Sequence, residues 1–326
     1  MFLENEKREF EKEVLLGLGN QEQKFVPSKY LYDETGSRLF EDITMQPEYY
    51  QTRTELELIE RFSGQVIDSI KGEIVLIELG SGSSRKTTAL FKEILKVQEK
   101  LFYFPIDISF RFLNSAVSII ENSFPEVRVK GIPSDYLNGI SHCNDLLGRG
   151  DIVTKNFSRL IVFFGSSIGN FEVEDAGDFL KSLRNNMANG DFLLVGFDLV
   201  KEKALLEAAY NDRNGITAKF NLNLLNRINK EMGGNFILEN YSHRSFYNEK
   251  KQRIEMHIVS NCNQEVFVSS INKKITMYKN ETIHTENSYK YSREEIEQLA
   301  GRSGFSIEQE FCDKNNWFDL VLLKPL

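Results

Sequence analysis

Apolar positions follow two different rhythms along the chain. In the first ~60 residues Phe10, Val14 and Leu18 stand four apart, the spacing of one buried helix face. A turn-rich stretch at Asp33-Glu34-Thr35-Gly36 follows, then a charged helix from about Pro47 to Phe62. From Glu73 onward, short continuous apolar runs alternate with helical stretches: Ile74 to Leu79, Leu101 to Ile106, Val127 to Ile132, Leu160 to Phe164 and Phe192 to Phe197. Unbroken β-rich runs separated by helices are what a parallel sheet covered on both faces requires. Between about Val200 and Tyr289 the pattern is mixed. It predicts two helices, Lys201 to Asn211 and Gly215 to Met232, then strands through Phe236 to Phe246, Arg253 to Val259 and Lys274 to Met277. The C-terminus adds a helix from near Ser292 and two strands, Phe305 to Phe311 and Trp317 to Leu323. Only Cys-Asp-Lys-Asn-Asn joins those two strands, so they are antiparallel, because a parallel crossover takes about a dozen residues or more.

These elements predict an α/β fold with five parallel strands closed by a terminal antiparallel hairpin, a seven-stranded sheet in all. That is the Rossmann-like layout of class I methyltransferases and not that of nicotinamide dehydrogenases. No repeat and no Gly/Ser/Pro-rich linker separates the α+β insert from the sheet, so the second domain is interleaved with the first. The expected division is 61–199 with 290–326 for the sheet domain, and 1–60 with 200–289 for a smaller substrate-binding lobe. Its helices would wall a pocket over the C-terminal strand edge, where open α/β sheets take their ligands.

Composition narrows the partner. With 40 Lys and Arg against 48 Asp and Glu, the 326-residue chain carries a net charge of −8, which repels nucleic acid and anionic lipid. A small molecule is the expected partner, with no nucleic acid and no membrane. Cys143, Cys262 and Cys312 form no C-x-x-C pair, and the four histidines lack metal-ligand spacing, so neither a disulfide framework nor a metal site is expected. A charged N-terminus and the absence of any run of about 18 apolar residues point to the cytoplasm.

Candidate chemistry collects at the strand ends. The first run ends in Glu78-Leu79-Gly80-Ser81-Gly82, where small residues let backbone approach a ligand and free N–H groups at a helix start favour an anion. The third glycine of G-x-G-x-x-G is absent, since Arg85 stands in its place, and a plain tight turn explains the stretch equally well. Asp107 ends the second run, where an acid can take two ribose hydroxyls, although a helix N-cap uses the same residue type. Asp135 and Tyr136 follow the third, placed to hydrogen-bond and stack an adenine. The fourth run leads into Gly165-Ser166-Ser167-Ile168-Gly169-Asn170, which imitates the G-x-S-x-G elbow of α/β-hydrolases. That rival would use Ser167 as nucleophile, Asp198 as acid and His257 or His284 as base. Tyr32, Tyr49 and Tyr210 lie in polar settings and can offer hydroxyls to a small polar substrate, or simply pack. Glu286 and Ser288, two apart, share a face if that segment is extended.

Taken together, the motifs Leu31-Tyr32-Asp33-Glu34-Thr35-Gly36-Ser37-Arg38-Leu39-Phe40, Pro47-Glu48-Tyr49-Tyr50 with Thr52-Arg53-Thr54-Glu55, Glu78 to Gly82, Gly165 to Phe171, Ala209-Tyr210-Asn211-Asp212 and Thr285-Glu286-Asn287-Ser288 span nearly the whole chain. In order and spacing they resemble the histidine-specific N-alpha-methyltransferases of ergothioneine biosynthesis. The resemblance implies S-adenosylmethionine as cofactor, held by Gly80, Ser81, Gly82, Lys86, Asp107, Asp135 and Tyr136. It implies L-histidine and its mono- and dimethyl forms as substrate, held by Tyr49, Asn170, Tyr210, Met256, Glu286, Asn287 and Ser288, with Tyr32 near the amine, in a monomeric cytoplasmic enzyme. Related fungal enzymes methylate a prenylated tryptophan, the alternative substrate. An imidazole offers donors to a carboxylate and a hydroxyl, whereas an apolar indole would leave Glu286 desolvated at about 1–3 kcal/mol. Asn287 departs from the pattern, since the family more often has an apolar residue there.

Overall fold

A computed structural model describes residues 2–148 and 157–326, with side chains from residue 7 onward. The chain divides into two compact units, Met1–Tyr49 with Glu202–Ser288 and Tyr50–Lys201 with Tyr289–Leu326. None of the described helices is long and apolar enough to cross a membrane.

Eight strands of the second unit form one sheet: β1 (Glu73–Leu79), β2 (Leu101–Asp107), β3 (Val127–Val129), β4 (Ile132–Pro133), β5 (Phe157–Phe163), β6 (Phe192–Asp198), β7 (Phe305–Cys312) and β8 (Phe318–Pro325). Their order is β7-β8-β6-β5-β1-β2-β3, with β4 also paired to β2. The pairings among β1 to β6 are all parallel, and β8 runs antiparallel to both β6 and β7. The run expected as a single strand from Val127 to Ile132 is thus two short strands. It breaks at Lys130-Gly131, where the Lys130 N–H still reaches the Tyr103 carbonyl at 2.9 Å. The reason the runs are continuously apolar is visible on β1: Val75, Ile77 and Leu79 belong to the core on one face, Ile74 and Leu76 to the core on the other.

The helix Tyr50–Asp68 packs on the helix Thr88–Val97 and on β8. Its Leu58, Ile59, Val66 and Ile67 share the core that holds Ile74 and Leu76. The first boundary therefore falls at Tyr49 and not near residue 60: this helix belongs with the sheet.

The first unit contains a four-stranded sheet in the order Lys24–Phe25, Thr282–Tyr289, Arg253–Ser260 and Tyr241–Asn248, and a separate hairpin of Gln264–Val268 with Lys273–Met277. The helices Phe2–Leu18, Glu34–Thr44, Lys203–Ala209 and Ile216–Met232 accompany them. Phe10, Val14 and Leu18 are all buried, as their spacing predicts. The stretch Asp33-Glu34-Thr35-Gly36 is the start of the helix Glu34–Thr44, not a free turn. Asp33 caps it by accepting the Gly36 N–H at 2.7 Å, which explains the turn-like composition.

At the end of β6, Asp198 is fully buried, and cations gather on it. Lys290, also fully buried, lies 2.8 Å away, Lys201 makes a second ion pair, and the Tyr50 hydroxyl donates at 2.8 Å. The Asp198 carbonyl accepts the Tyr291 N–H at 3.0 Å. Burial by itself would raise the carboxyl, but Lys290 and Lys201 overcome that and hold it below the ordinary range. Burial in turn pushes Lys201 down to about 8, against the pull of Asp198. Replacing Asp198 with Asn leaves two lysines without their counter-charge. Urea unfolding is expected to show a loss of about 3–5 kcal/mol, and a loss below about 1 kcal/mol would contradict the clamp.

Candidate active site

The turn after β1 is built for close approach. Gly80 sits at φ +68° and its N–H, with that of Ser81, bonds the Ile106 carbonyl at 2.8 and 3.1 Å. A Cβ at Gly80 would stand 3.2 Å from the Tyr136 hydroxyl, so this glycine is needed both for its dihedral and for the ring beside it. The Gly82 N–H donates to Asp107 Oδ2 at 2.9 Å, and the Ser109 N–H to Asp107 Oδ1 at 2.9 Å. Burial raises the Asp107 carboxyl despite these two bonds. Four sequence candidates, Gly80, Gly82, Asp107 and Tyr136, are thus in one place, with Ser81 between the glycines. Asp135 instead is exposed and caps the helix Tyr136–Gly148 by accepting from the Asn138 backbone and side chain at 2.9 and 2.6 Å. Lys86 pairs with Glu55 at 2.5 Å.

The turn after β5 does not have the chemistry of a hydrolase elbow. The left-handed residues are Gly165 and Ser166, at φ +77° and +54°, and not Ser167. The Ser167 hydroxyl donates to the Phe164 carbonyl at 2.9 Å, while Asp198, the acid nominated for it, is held by Lys290, Lys201 and Tyr50. Asn170 closes this turn as the last residue of the 3-10 helix Ser167–Asn170, and is partly buried.

In the first unit the tyrosines converge. Tyr49 meets Phe40 and Tyr210 edge-on at 6.1 and 6.2 Å, and Tyr32 meets Phe40 and Phe220 at 5.4 Å each. The Tyr210 hydroxyl donates to Ser288 Oγ at 2.7 Å. Its carbonyl accepts from His243 Nε2 at 2.9 Å and Ser245 Oγ at 3.0 Å, and Asn221 Nδ2 donates to His243 Nδ1 at 2.9 Å, which fixes the tautomer. Along Thr282–Tyr289 the alternation of burial slips, because Thr285 and Glu286 are consecutive buried residues. Thr285 bonds Asn221 and the Met256 carbonyl at 2.7 and 3.1 Å, and the His284 ring donates from Nε2 to the Glu286 carbonyl at 3.1 Å. Ser288 is joined to Tyr210 by that hydroxyl bond, and Glu286 is buried two residues before it on the same strand.

His284 stacks on His257 at 4.7 Å and 22°, and Glu255 lies close to both. Three such side chains have the composition of a metal site but not the geometry. Near-parallel rings cannot aim both in-plane lone pairs at one ion, and Glu255 is already bound by Arg253 at 2.8 Å and Asn248 at 2.9 Å. The sequence reading missed the roles of Glu55, His243 and Asn221. Glu55 lies within a motif quoted above, which was the available signal. The bonds of His243 and Asn221 are tertiary and leave no local mark.

The family model described as "Histidine-specific methyltransferase, SAM-dependent" matches residues 10–325. The chain belongs to this family. A histidine N-alpha-methyltransferase of Mycolicibacterium smegmatis is 33% identical over 92% of this chain and 90% of its own length. One of Mycobacterium tuberculosis is 31% identical with the same coverage, and an L-tryptophan methyltransferase of Psilocybe serbica is 27% identical over 92% of this chain and 88% of its own.

The residues of this histidine-specific methyltransferase fit a bound S-adenosylmethionine. Beside the Gly80 turn the buried Ser81 hydroxyl has no hydrogen-bond partner among the described residues, although the N–H groups of Gly80, Ser81 and Gly82 are bonded within the fold. Directly before this turn, Glu78 is buried among Thr87, Tyr103 and Ser84. Burial pushes its carboxyl up to about 7, the hydroxyl donors opposing. A raised native value means that the folded enzyme holds this proton more tightly than the unfolded chain. The resulting stability is complete below about 4.5 and is lost as pH rises through 7. Thermal unfolding from pH 4.5 to 8 is expected to show the wild type losing stability relative to Glu78→Gln across that window, and parallel curves would contradict the shift.

Proposed function

We propose that this enzyme transfers the methyl group of S-adenosylmethionine to the α-amine of L-histidine, up to three times, giving N-alpha,N-alpha,N-alpha-trimethyl-L-histidine (hercynine), a step of ergothioneine biosynthesis. The observation that carries this reading is the pair Glu286 and Ser288, grouped with Tyr210 through the 2.7 Å Tyr210–Ser288 bond, in a chain of the histidine-specific family. A carboxylate and a hydroxyl two residues apart complement the two nitrogens of an imidazole.

S-adenosylmethionine supplies an electrophilic methyl group on a sulfonium; the rest of the work is positional. We assign its binding to the Gly80, Ser81 and Gly82 backbone, Lys86, Asp107 for the ribose, and Asp135 and Tyr136 for the adenine. Glu286 and Ser288 hold the imidazole and Asn170 and Tyr210 the α-carboxylate, with Tyr49 and Met256 as further substrate contacts. Tyr32 hydrogen-bonds the amine, which loses a proton to water before each transfer. The rings of Tyr32, Phe40, Tyr49 and Phe220, with centroids 5.4 to 6.1 Å apart, favour the growing ammonium charge through their faces. All three cysteines are free, which suits a reducing compartment, and we place the enzyme in the cytoplasm as a monomer.

The tryptophan reading draws on the Psilocybe serbica relative. A buried carboxylate facing an indole has one N–H to accept and otherwise meets carbon, so histidine is the better complement. Incubation with equal histidine and tryptophan is expected to add one, two and three methyl groups to histidine by mass spectrometry. Glu286→Ala is expected to weaken calorimetric histidine affinity by about 10- to 100-fold, with donor affinity preserved. Methylation of tryptophan in preference, or unchanged histidine affinity in the variant, would overturn the assignment.

A further inference from the structure

Thr52-Arg53-Thr54-Glu55 is quoted above as a motif, yet no part of the reaction uses it. Glu55 is fully buried on the helix Tyr50–Asp68. A buried carboxylate there needs strong partners, and it has two kinds. The Gly165 N–H donates to both of its oxygens at 2.9 Å, and the Lys86 ammonium donates to Oε2 at 2.5 Å. The sheet is shaped to admit it: a Cβ on Gly196 of β6 would lie 2.1 Å from Glu55 Oε1. One side chain from a helix thus joins the turn after β1, which carries Lys86, to the turn after β5, which begins at Gly165 and ends at Asn170.

We propose that Glu55 is a positioning residue of the methyl-donor site: it fixes the Lys86 ammonium and the backbone of Gly165 in one arrangement, so that Lys86 presents its remaining N–H donors to the donor molecule. This rests on the assignment of Lys86 to that molecule. The Lys86 side chain is about one-fifth exposed, 22%, whereas Glu55 is not exposed at all, so the ammonium is the end of the pair that a ligand can reach. The pair is neutral as a whole. What a bound carboxylate meets is therefore an oriented donor and not a net positive charge, and without Glu55 the four-carbon lysine stem would lose its fixed direction.

A double-mutant cycle read by calorimetry of S-adenosylmethionine and of S-adenosylhomocysteine tests this without any turnover. Glu55→Gln and Lys86→Gln are each expected to weaken binding by about 10-fold or more, and the double variant to bind no worse than Lys86→Gln alone within about twofold. Effects that multiply in the double variant, or a Glu55→Gln protein that binds as tightly as wild type or tighter, would overturn the proposal. A wild-type affinity in Lys86→Gln alone would instead overturn the assignment of Lys86 itself. If circular dichroism shows Glu55→Gln unfolded, Glu55→Asp replaces it in the same cycle. It keeps the charge with one methylene less reach, and the same outcomes decide.

Discussion

Asp198 is the interaction on which the second unit depends. The chain passes between the two units at Tyr49/Tyr50, Lys201/Glu202 and Ser288/Tyr289. Directly inside each passage stands a residue that Asp198 holds: Tyr50, Lys201 and Lys290. An interleaved fold has more entry points than a sequential one, and each is a place where strands and helices can fray. Here one carboxylate at the end of the central strand β6 secures all three, and the hydrogen bond from Tyr291 to the Asp198 carbonyl joins the backbone to the same point. Burial depresses Lys201 to about 8, with Asp198 opposing and the neighbouring Lys290 adding a smaller push in the same direction.

Around the ends of the neighbouring strands, carboxylates likewise organise backbone, hydroxyl or ammonium donors. Glu78 gathers hydroxyls before the glycine turn, Asp107 gathers the N–H groups of Gly82 and Ser109, and Glu55 gathers Gly165 and Lys86. The net charge of −8 looked at first like a reason to exclude anionic partners. Much of what matters is instead local. These carboxylates are already bonded to backbone, hydroxyl and ammonium donors within the fold.

The sheet was legible because both of its faces are buried, so every strand reads as an apolar run, and the hairpin followed from a link too short for a crossover. Places where polar residues decide the structure were harder to read. Asp33 looked like a turn former and is a helix cap. The helix Tyr50–Asp68 is charged on its outer side and was grouped with its neighbours in sequence, although its Leu58, Ile59, Val66 and Ile67 belong to the sheet core. That Gly80, Asp107 and Tyr136 come together was legible because each lies at or just past the end of a neighbouring parallel strand. The reading of Glu286 and Ser288 assumes an extended segment, and Thr282–Tyr289 is a strand. The separation of that pair from Asn287 is the ordinary alternation of the strand, whereas the bonds of Thr285 to Asn221 and the Met256 carbonyl are tertiary and leave no local mark.

The most direct measurement of how this enzyme selects its substrate is a crystal structure with L-histidine and S-adenosylhomocysteine bound together. The expected result places the imidazole nitrogens within hydrogen-bond distance of the Glu286 carboxylate and the Ser288 hydroxyl, with the α-amine directed at the sulfur. An imidazole bound elsewhere, with Glu286 and Ser288 making no contact to it, would contradict histidine recognition by this pair.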